Sequence, residues 1–288
     1  MPSLIDIRRR IRSVKNTQQI TKAMKMVSAA KLRRAQERAL ASRPYAEMMN
    51  RVLTNIAAAA AGNEEVAALP LLQTRDEQRI QLVVVSSDRG LAGAFNANLL
   101  RTAQRFIDEH RGAELRVEVV GRKSRDYFRK RSSNITGEHV GIMERPTLEQ
   151  AREIGRKMMD FYSKAEVDAV YIAVNEFKSV MAPNPVLRKI LPIAVPEKKE
   201  EDPSIDYIYE QPPAELLSQL LPRYVEMSIY RAFLESVSAE HAARMTAMDT
   251  ASSNAGDVIQ SLTLTMNRVR QAAITKEIIE IVSGASAL

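Results

Sequence analysis

Cysteine is absent from the 288 residues, which removes disulfides, thiolate nucleophiles and thiolate metal ligands together. Histidine is almost as scarce. His110, His139 and His241 stand far apart, so sequence spacing offers no metal-type cluster and only a thin basis for histidine-centred catalysis. Tryptophan is missing, the eight Tyr and six Phe are the only aromatic residues, and there are just 10 Gly. With 45% apolar residues the chain is nonetheless not a disordered one, and the profile is that of a helix-rich, thinly cored protein. No apolar run approaches the roughly 20 residues that a membrane-spanning helix needs. No signal-peptide core follows the N-terminus. The expectation is a protein that is soluble or at most peripheral to a membrane, and a hidden hydrolase is not expected.

Acidic residues are scarce in one place. Residues 1–60 hold 13 Lys or Arg against only Asp6, Glu37 and Glu47, a local charge of +10 within a total of +7. The remaining residues are therefore slightly acidic. Such a segment is compatible with nucleic acid, an anionic membrane surface, an acidic protein partner or an organelle transit peptide, and charge alone does not choose among them.

Residues 3–60 contain one Pro and no Gly, and Leu4, Ile7, Ile11 and Val14, then Ile20, Met24 and Val27, recur at spacings of three and four. That periodicity predicts one long amphipathic helix with Ser3 as N-cap and a kink or loosening at Pro44. Its seam is polar at Gln18 and Thr21, unlike a leucine zipper. Residues 62–79 read as a linker. IQLVVVSS at 80–87 reads as a buried strand, followed by a helix near 94–110, a strand at 115–121, helices at 122–131 and 147–164, and strands at 167–177 and 187–195. This is a βαβ-like series. Residues 196–213 are Pro-rich and charged, hence an exposed connector. From Ala214 to about Ser283 a second helical pattern runs nearly uninterrupted. The expected organisation is an N-terminal coiled-coil helix (1–61), a linker (62–79), a Rossmann-like α/β domain (80–195), a connector (196–213) and a C-terminal coiled-coil helix (214–288). The two terminal helices would pair antiparallel, forming a rod on a globular foot.

The segment from Asp88 to Asn96, DRGLAGAFN, follows a strand and opens a helix, where a phosphate-binding loop could lie. Gly90 and Gly93 give GxxG rather than GxGxxG or GxxxxGK[ST], so a turn and packing role is favoured over nucleotide binding. Methionines such as Met24, Met26, Met227 and Met248 lie on the long helices, where they serve either as seam packing or as an adaptable surface for several partner faces. The basic series from Arg8 to Arg38 winds around its helix, and no aromatic residue precedes Tyr45 to stack a base. An acidic protein partner fits this series better than nucleic acid, although a basic coiled-coil nucleic-acid binder remains the alternative. A small nucleotide-dependent enzyme built on the α/β insert is a third reading. The C-terminal LTLTMNRVRQAAITKEIIEIVSGASAL is nearly neutral and apolar at its end, which suits either a frayed helix end or insertion into a low-polarity sleeve.

These residues carry a resemblance to the γ subunit of the F-type ATP synthase. It covers essentially the whole chain and is strongest in IRRRIRSVKNTQQITKAMKMVSAAKLRRAQ, SSDRGLAGAFNANL and NRVRQAAITKEIIEIVSGASAL, with EHAARMTAMDTASSNAG at 240–256 similar as well. The resemblance implies a central rotor shaft: an antiparallel coiled coil inside a hexamer of alternating α and β subunits, and a Rossmann-like foot that binds the ε subunit and the c ring. It further implies that ion flow turns ring and shaft together, and that the asymmetric shaft drives each β subunit through its states. Met24 and Lys25 match positions that meet an acidic loop of β, although many relatives have an acidic residue where this chain has Lys25. Arg270, Gln271, Thr275 and Glu277 match positions that contact a β catch loop or tune coupling. Tyr207 and Glu210 match a segment facing the c ring and ε. No residue is implied to be catalytic, and no cofactor, metal or nucleic acid is implied. Without the Cys-containing insertion of chloroplast members, a bacterial origin and a place at the cytoplasmic face of the cell membrane, held through partners, are expected.

Overall fold

The structure, a computed structural model, describes residues 3–59, 63–131, 133–177, 184–194 and 211–285. Its first and last elements are the long helices α1 (Leu4–Ala59) and α6 (Pro213–Ala285), of 56 and 73 residues. Ser3 Oγ accepts from the Asp6 backbone N–H at 3.2 Å, as an N-cap side chain does. Pro44 and Pro222 both lie inside helices that continue past them. Between them come a single turn α2 (Glu64–Ala67), β1 (Arg79–Val85), α3 (Phe95–Glu109), β2 (Glu114–Val120), α4 (Arg122–Arg129), β3 (Ile135–His139), α5 (Leu148–Ser163), β4 (Ala169–Glu176) and β5 (Asn184–Leu191).

The chain divides into two compact units. One combines residues 1–29 with 244–288, and the other spans 30–243. In the first unit α1 and α6 run antiparallel: Lys25 pairs with Asp249 while Thr21, one turn earlier on α1, meets Ser252 on α6. The seam between them mixes apolar and small polar residues. Ile7, Thr21, Ser28, Met248, Ser252 and Ala255 are buried, and Gln18 Nε2 lies 3.2 Å from where a side chain on Gly256 would begin.

In the second unit the sheet order is β3-β2-β1-β4-β5, parallel throughout except for the antiparallel β4–β5 edge. Alternation along β1 divides the core. Ile80, Leu82 and Val84 point to a cluster with Leu99, Phe106 and Phe128 from α3 and α4. Val83 and Val85 point to the other face, where Met158 and Tyr162 of α5 pack with Leu53 and Ile56 of α1 and Leu217, Leu221 and Phe233 of α6. In this unit one face of each long helix thus packs on the sheet, and that burial supplies apolar contact to both.

The expected fold class, a coiled coil of the terminal helices with an inserted Rossmann-like α/β domain, is the observed one. The details differ in three places. Glu64–Ala67 turns helically, capped by Asn63 Oδ1 accepting from the Glu65 N–H at 2.8 Å. Strand β5 begins three residues earlier than its apolar run, because Asn184 and Pro185 pair with Glu176 and Asn175. Strand β3, ITGEH, was invisible to hydrophobic patterning because it is a polar edge strand held by a buried carboxylate on β2.

Candidate functional site

The loop that follows β1 is built from backbone demands. The first three N–H groups of α4 have no intrahelical acceptor. Asp88 Oδ1 accepts from Arg122 N at 3.0 Å, Ser87 O from Lys123 N at 3.1 Å, and Ser86 Oγ from Ser124 N at 2.8 Å. Asp88 Oδ1 also accepts from Gly141 N at 2.9 Å, tying the loop after β3 to the same carboxylate. The SSD triplet therefore caps a neighbouring helix across the sheet. An anion at that helix N-terminus is already present in the form of Asp88. The GxxG turn continues with Leu91 at φ 62° and Gly93 at φ 56°, and Asn96 pins it by donating from Nδ2 to Ser87 Oγ at 2.8 Å.

A ligand crevice in an open parallel sheet lies where the strand order reverses, here beyond the ends of β1 and β4. That place is filled. Ala92 and Phe95 pack there with Phe177 and with Ala239 and Ala243 of α6, and Asn175 Nδ2 donates to Phe95 O at 3.3 Å. Side chains of the long helix thus fill the place where a ligand would enter. Among the described residues, no group of three or more His, Asp or Glu could hold a metal ion, and no helix is long and apolar enough to cross a membrane.

The residues singled out for partner contact lie mostly in the first unit. Met24 and Lys25 are half-buried on α1, and Lys25 Nζ approaches Asp249 Oδ1 at 2.6 Å. As a largely solvated pair it contributes at most about 1 kcal/mol. Arg270, Gln271, Thr275 and Glu277 are exposed on α6, and the Thr275 hydroxyl donates to Gln271 O at 2.9 Å. From Asp249 to Arg270 the helix rises about 32 Å, so the two groups are far apart along α6 and are not a single cluster. Past Arg270, Ile274, Ile278, Ile279, Ile281 and Val282 are 48%, 55%, 58%, 71% and 58% exposed, and at helical spacing they gather on one side of α6. An exposed apolar face of this kind calls for a covering partner. Tyr207 and Glu210 lie outside the described residues.

Sequence reasoning missed Asp249 and Ser252 as the partners of Lys25 and Thr21. The buried Thr21 Oγ1 and Ser252 Oγ lie 2.7 Å apart, and Gln18 Nε2 donates to Ser252 O at 3.1 Å. A polar pair in a seam fixes register, because a slip would leave both groups buried and unpaired. The signal available in sequence was the polar break at Gln18 and Thr21 itself.

One unit is a pair of antiparallel helices, and in the other the continuing helices pack on a five-stranded sheet whose switch-point crevice is filled, which defines a subunit of long helices and an α/β sheet with no built small-molecule site at that point. A family model described as ATP synthase matches residues 3–288. The "ATP synthase gamma chain" of Solibacter usitatus is 58% identical over 287 residues, covering 100% of this chain and 99% of that one. That of Anaeromyxobacter sp. (strain Fw109-5) is 52% identical, covering 100% of both. Among solved structures, a chain of the Tetrahymena thermophila mitochondrial ATP synthase central stalk and c-ring is similar with a TM-score of 0.60 at 25% identity, over 81% of this chain and 99% of that one. A chain of the Euglena gracilis mitochondrial ATP synthase shares the fold with a TM-score of 0.67 at 19% identity, over 99% of this chain and 94% of that one. The chain belongs to the ATP synthase gamma chain family.

Proposed function

We propose that this chain is the central rotor shaft of an F-type ATP synthase, coupling ion movement through a membrane c ring to ATP synthesis and hydrolysis at the β subunits of an αβ hexamer. The observation that carries the reading is similarity to a gamma chain at 58% identity over 287 residues, covering 100% of this chain and 99% of that one. Mechanically, the shaft acts only through differences. A β subunit shifts between states by the difference in its contacts with the face presented to it, so an asymmetric shaft that turns can drive three sites in succession. The chain is itself non-catalytic in this reading, and it sits at the cytoplasmic face of a bacterial membrane through its partners rather than through lipid.

Two levels on the helix pair suit contact with β: Met24 and Lys25, and Arg270, Gln271, Thr275 and Glu277. The exposed isoleucines beyond them suit an apolar sleeve. Tyr207 and Glu210 are assigned to the ε and c-ring side, with the working division of the chain kept as helix 1–61, linker 62–79, α/β domain 80–195, connector 196–213 and helix 214–288. Reconstitution with α and β subunits tests the reading. One copy should co-purify per hexamer and sustain ATP turnover, and the Arg270→Ala, Gln271→Ala double variant should weaken that turnover roughly tenfold through loss of two polar contacts. Failure to co-purify, with salt-dependent binding to DNA instead, would favour a basic nucleic-acid binder.

A further inference from the structure

Most cations of the α/β unit are engaged. Arg79 holds Asp168 at 2.7 Å, Arg129 holds Glu138, and Lys189 holds Glu77 at 2.7 Å. The side chains of Arg101 and Arg105 on α3 and of Lys123 and Lys130 on α4 are different. None makes an ion pair or hydrogen bond among the described residues, yet all four line one open groove of about 940 Å3 between the two helices. This groove lies on the opposite face of the sheet from α1, α5 and α6.

We propose that the α3–α4 groove binds a chain of phosphate groups, as carried by inorganic polyphosphate or a nucleoside triphosphate. The carboxylates bordering it are largely spent elsewhere: Asp108 is held by Arg111 at 3.2 Å and Asp126 by Arg125 at 2.8 Å, leaving Glu109 at one end. The cations form two short rows. Arg101 and Arg105 are one helical turn apart, and Lys123 and Lys130 are separated by about 10 Å of rise, a line of charge that suits several linked anions better than one. The guanidinium of Arg131 lies 3.7 Å from the centroid of the Tyr127 ring and covers one face of it, which disfavours base stacking there. Recognition is therefore of phosphates, with the groove open enough to leave any nucleoside outside. The groove shares no residue with the plugged crevice or with the positions assigned to β contact.

Isothermal titration of tripolyphosphate into the full chain tests this. The Arg101→Ala, Arg105→Ala variant should weaken binding at least roughly tenfold, the scale expected for two lost charge-assisted contacts. Arg122→Ala, Arg145→Ala removes two other exposed cations that make no side-chain ion pair among the described residues and do not line the groove, and should change the affinity by less than about twofold if binding is localised. Displacement by ATP but not AMP would identify a nucleoside triphosphate as an acceptable source, while displacement only by inorganic chains would restrict it to polyphosphate. No saturable binding, equal weakening by both variants, or groove-dependent binding of a glutamate-rich peptide without tripolyphosphate binding would each overturn the assignment.

Discussion

Glu118→Ala is expected to destabilise the α/β unit by about 3 kcal/mol, the scale for removing one partner of a buried ionic cluster. Glu118 is fully buried on β2, and its carboxylate accepts from Lys157 Nζ at 2.8 Å to each oxygen, from Thr136 Oγ1 at 2.7 Å and from His139 Nε2 at 2.8 Å. These donors come from α5 and β3, so one carboxylate fastens the polar edge strand and a covering helix to the sheet. Gln81 Nε2 extends the cluster by donating to Thr136 Oγ1 at 2.9 Å. The space for the carboxylate exists because residue 137 is glycine, where a Cβ would lie 2.2 Å from Glu118 Oε1. Burial pushes the carboxyl upward, but the hydrogen bonds from His139, Lys157 and Thr136 outweigh it and hold the group below its ordinary value. A lowered folded value means the contribution is full at neutral pH and is lost as pH falls through that value, below the usual carboxylate range. Urea unfolding of wild type, Glu118→Ala and Glu118→Gln should rank them in descending stability as wild type, Gln, Ala. A shift under about 0.5 kcal/mol for Ala would show that the cluster is not holding β3.

Gly121→Ala is expected to cost about 3 kcal/mol or more and to loosen the start of α4. Gly121 sits at φ 91°, and a Cβ there would lie 2.2 Å from Ser86 O and 2.8 Å from Ser86 Oγ. Backbone strain at positive φ costs on the order of 1–3 kcal/mol for a residue with a side chain, and here the clash is with backbone that cannot rotate away. The same movement would pull Ser86 and Asp88 from the N–H groups of Ser124 and Arg122. Amide hydrogen exchange should therefore quicken at residues 122–124 in the variant. Unchanged protection there, with a stability loss under about 1 kcal/mol, would mean that the loop absorbs the methyl group and that the close approach is not a constraint.

What could be read from the residues depended on how local the information was. The long helices announced themselves because apolar spacing of three and four persists for many turns, and β1 did so because IQLVVVSS is short, mostly apolar and rich in β-branched residues, Ile80 and Val83 to Val85. Strand β3 has no apolar pattern, since ITGEH is held by Glu118 and Lys157, which lie far from it in sequence. The register of the helix pair was equally hidden. Thr21 and Ser252 are 231 positions apart, and only folding shows that the polar interruption at Thr21 has a polar partner to meet. The turn and packing role favoured for the DRGLAGAFN segment agrees with the structure, but its reason, an aspartate capping a helix two elements later and an α6 that fills the crevice, required three dimensions. A whole-chain resemblance carried by three separated blocks gave the function, because blocks in the right order specify a family more strongly than any single site.

Rotation of this chain inside an αβ hexamer tests the central claim most directly. Because this chain has no Cys, an introduced thiol is its single one, and Gly112 has open space where a Cβ would stand, so Gly112→Cys in a complex whose α and β subunits carry no reactive Cys gives one probe site on the α/β unit. With the hexamer fixed to a surface and a visible particle on that thiol, addition of ATP should produce continued rotation in one direction that stops when ATP is withdrawn. Sustained ATP hydrolysis by the assembled complex while the particle remains stationary would contradict the account.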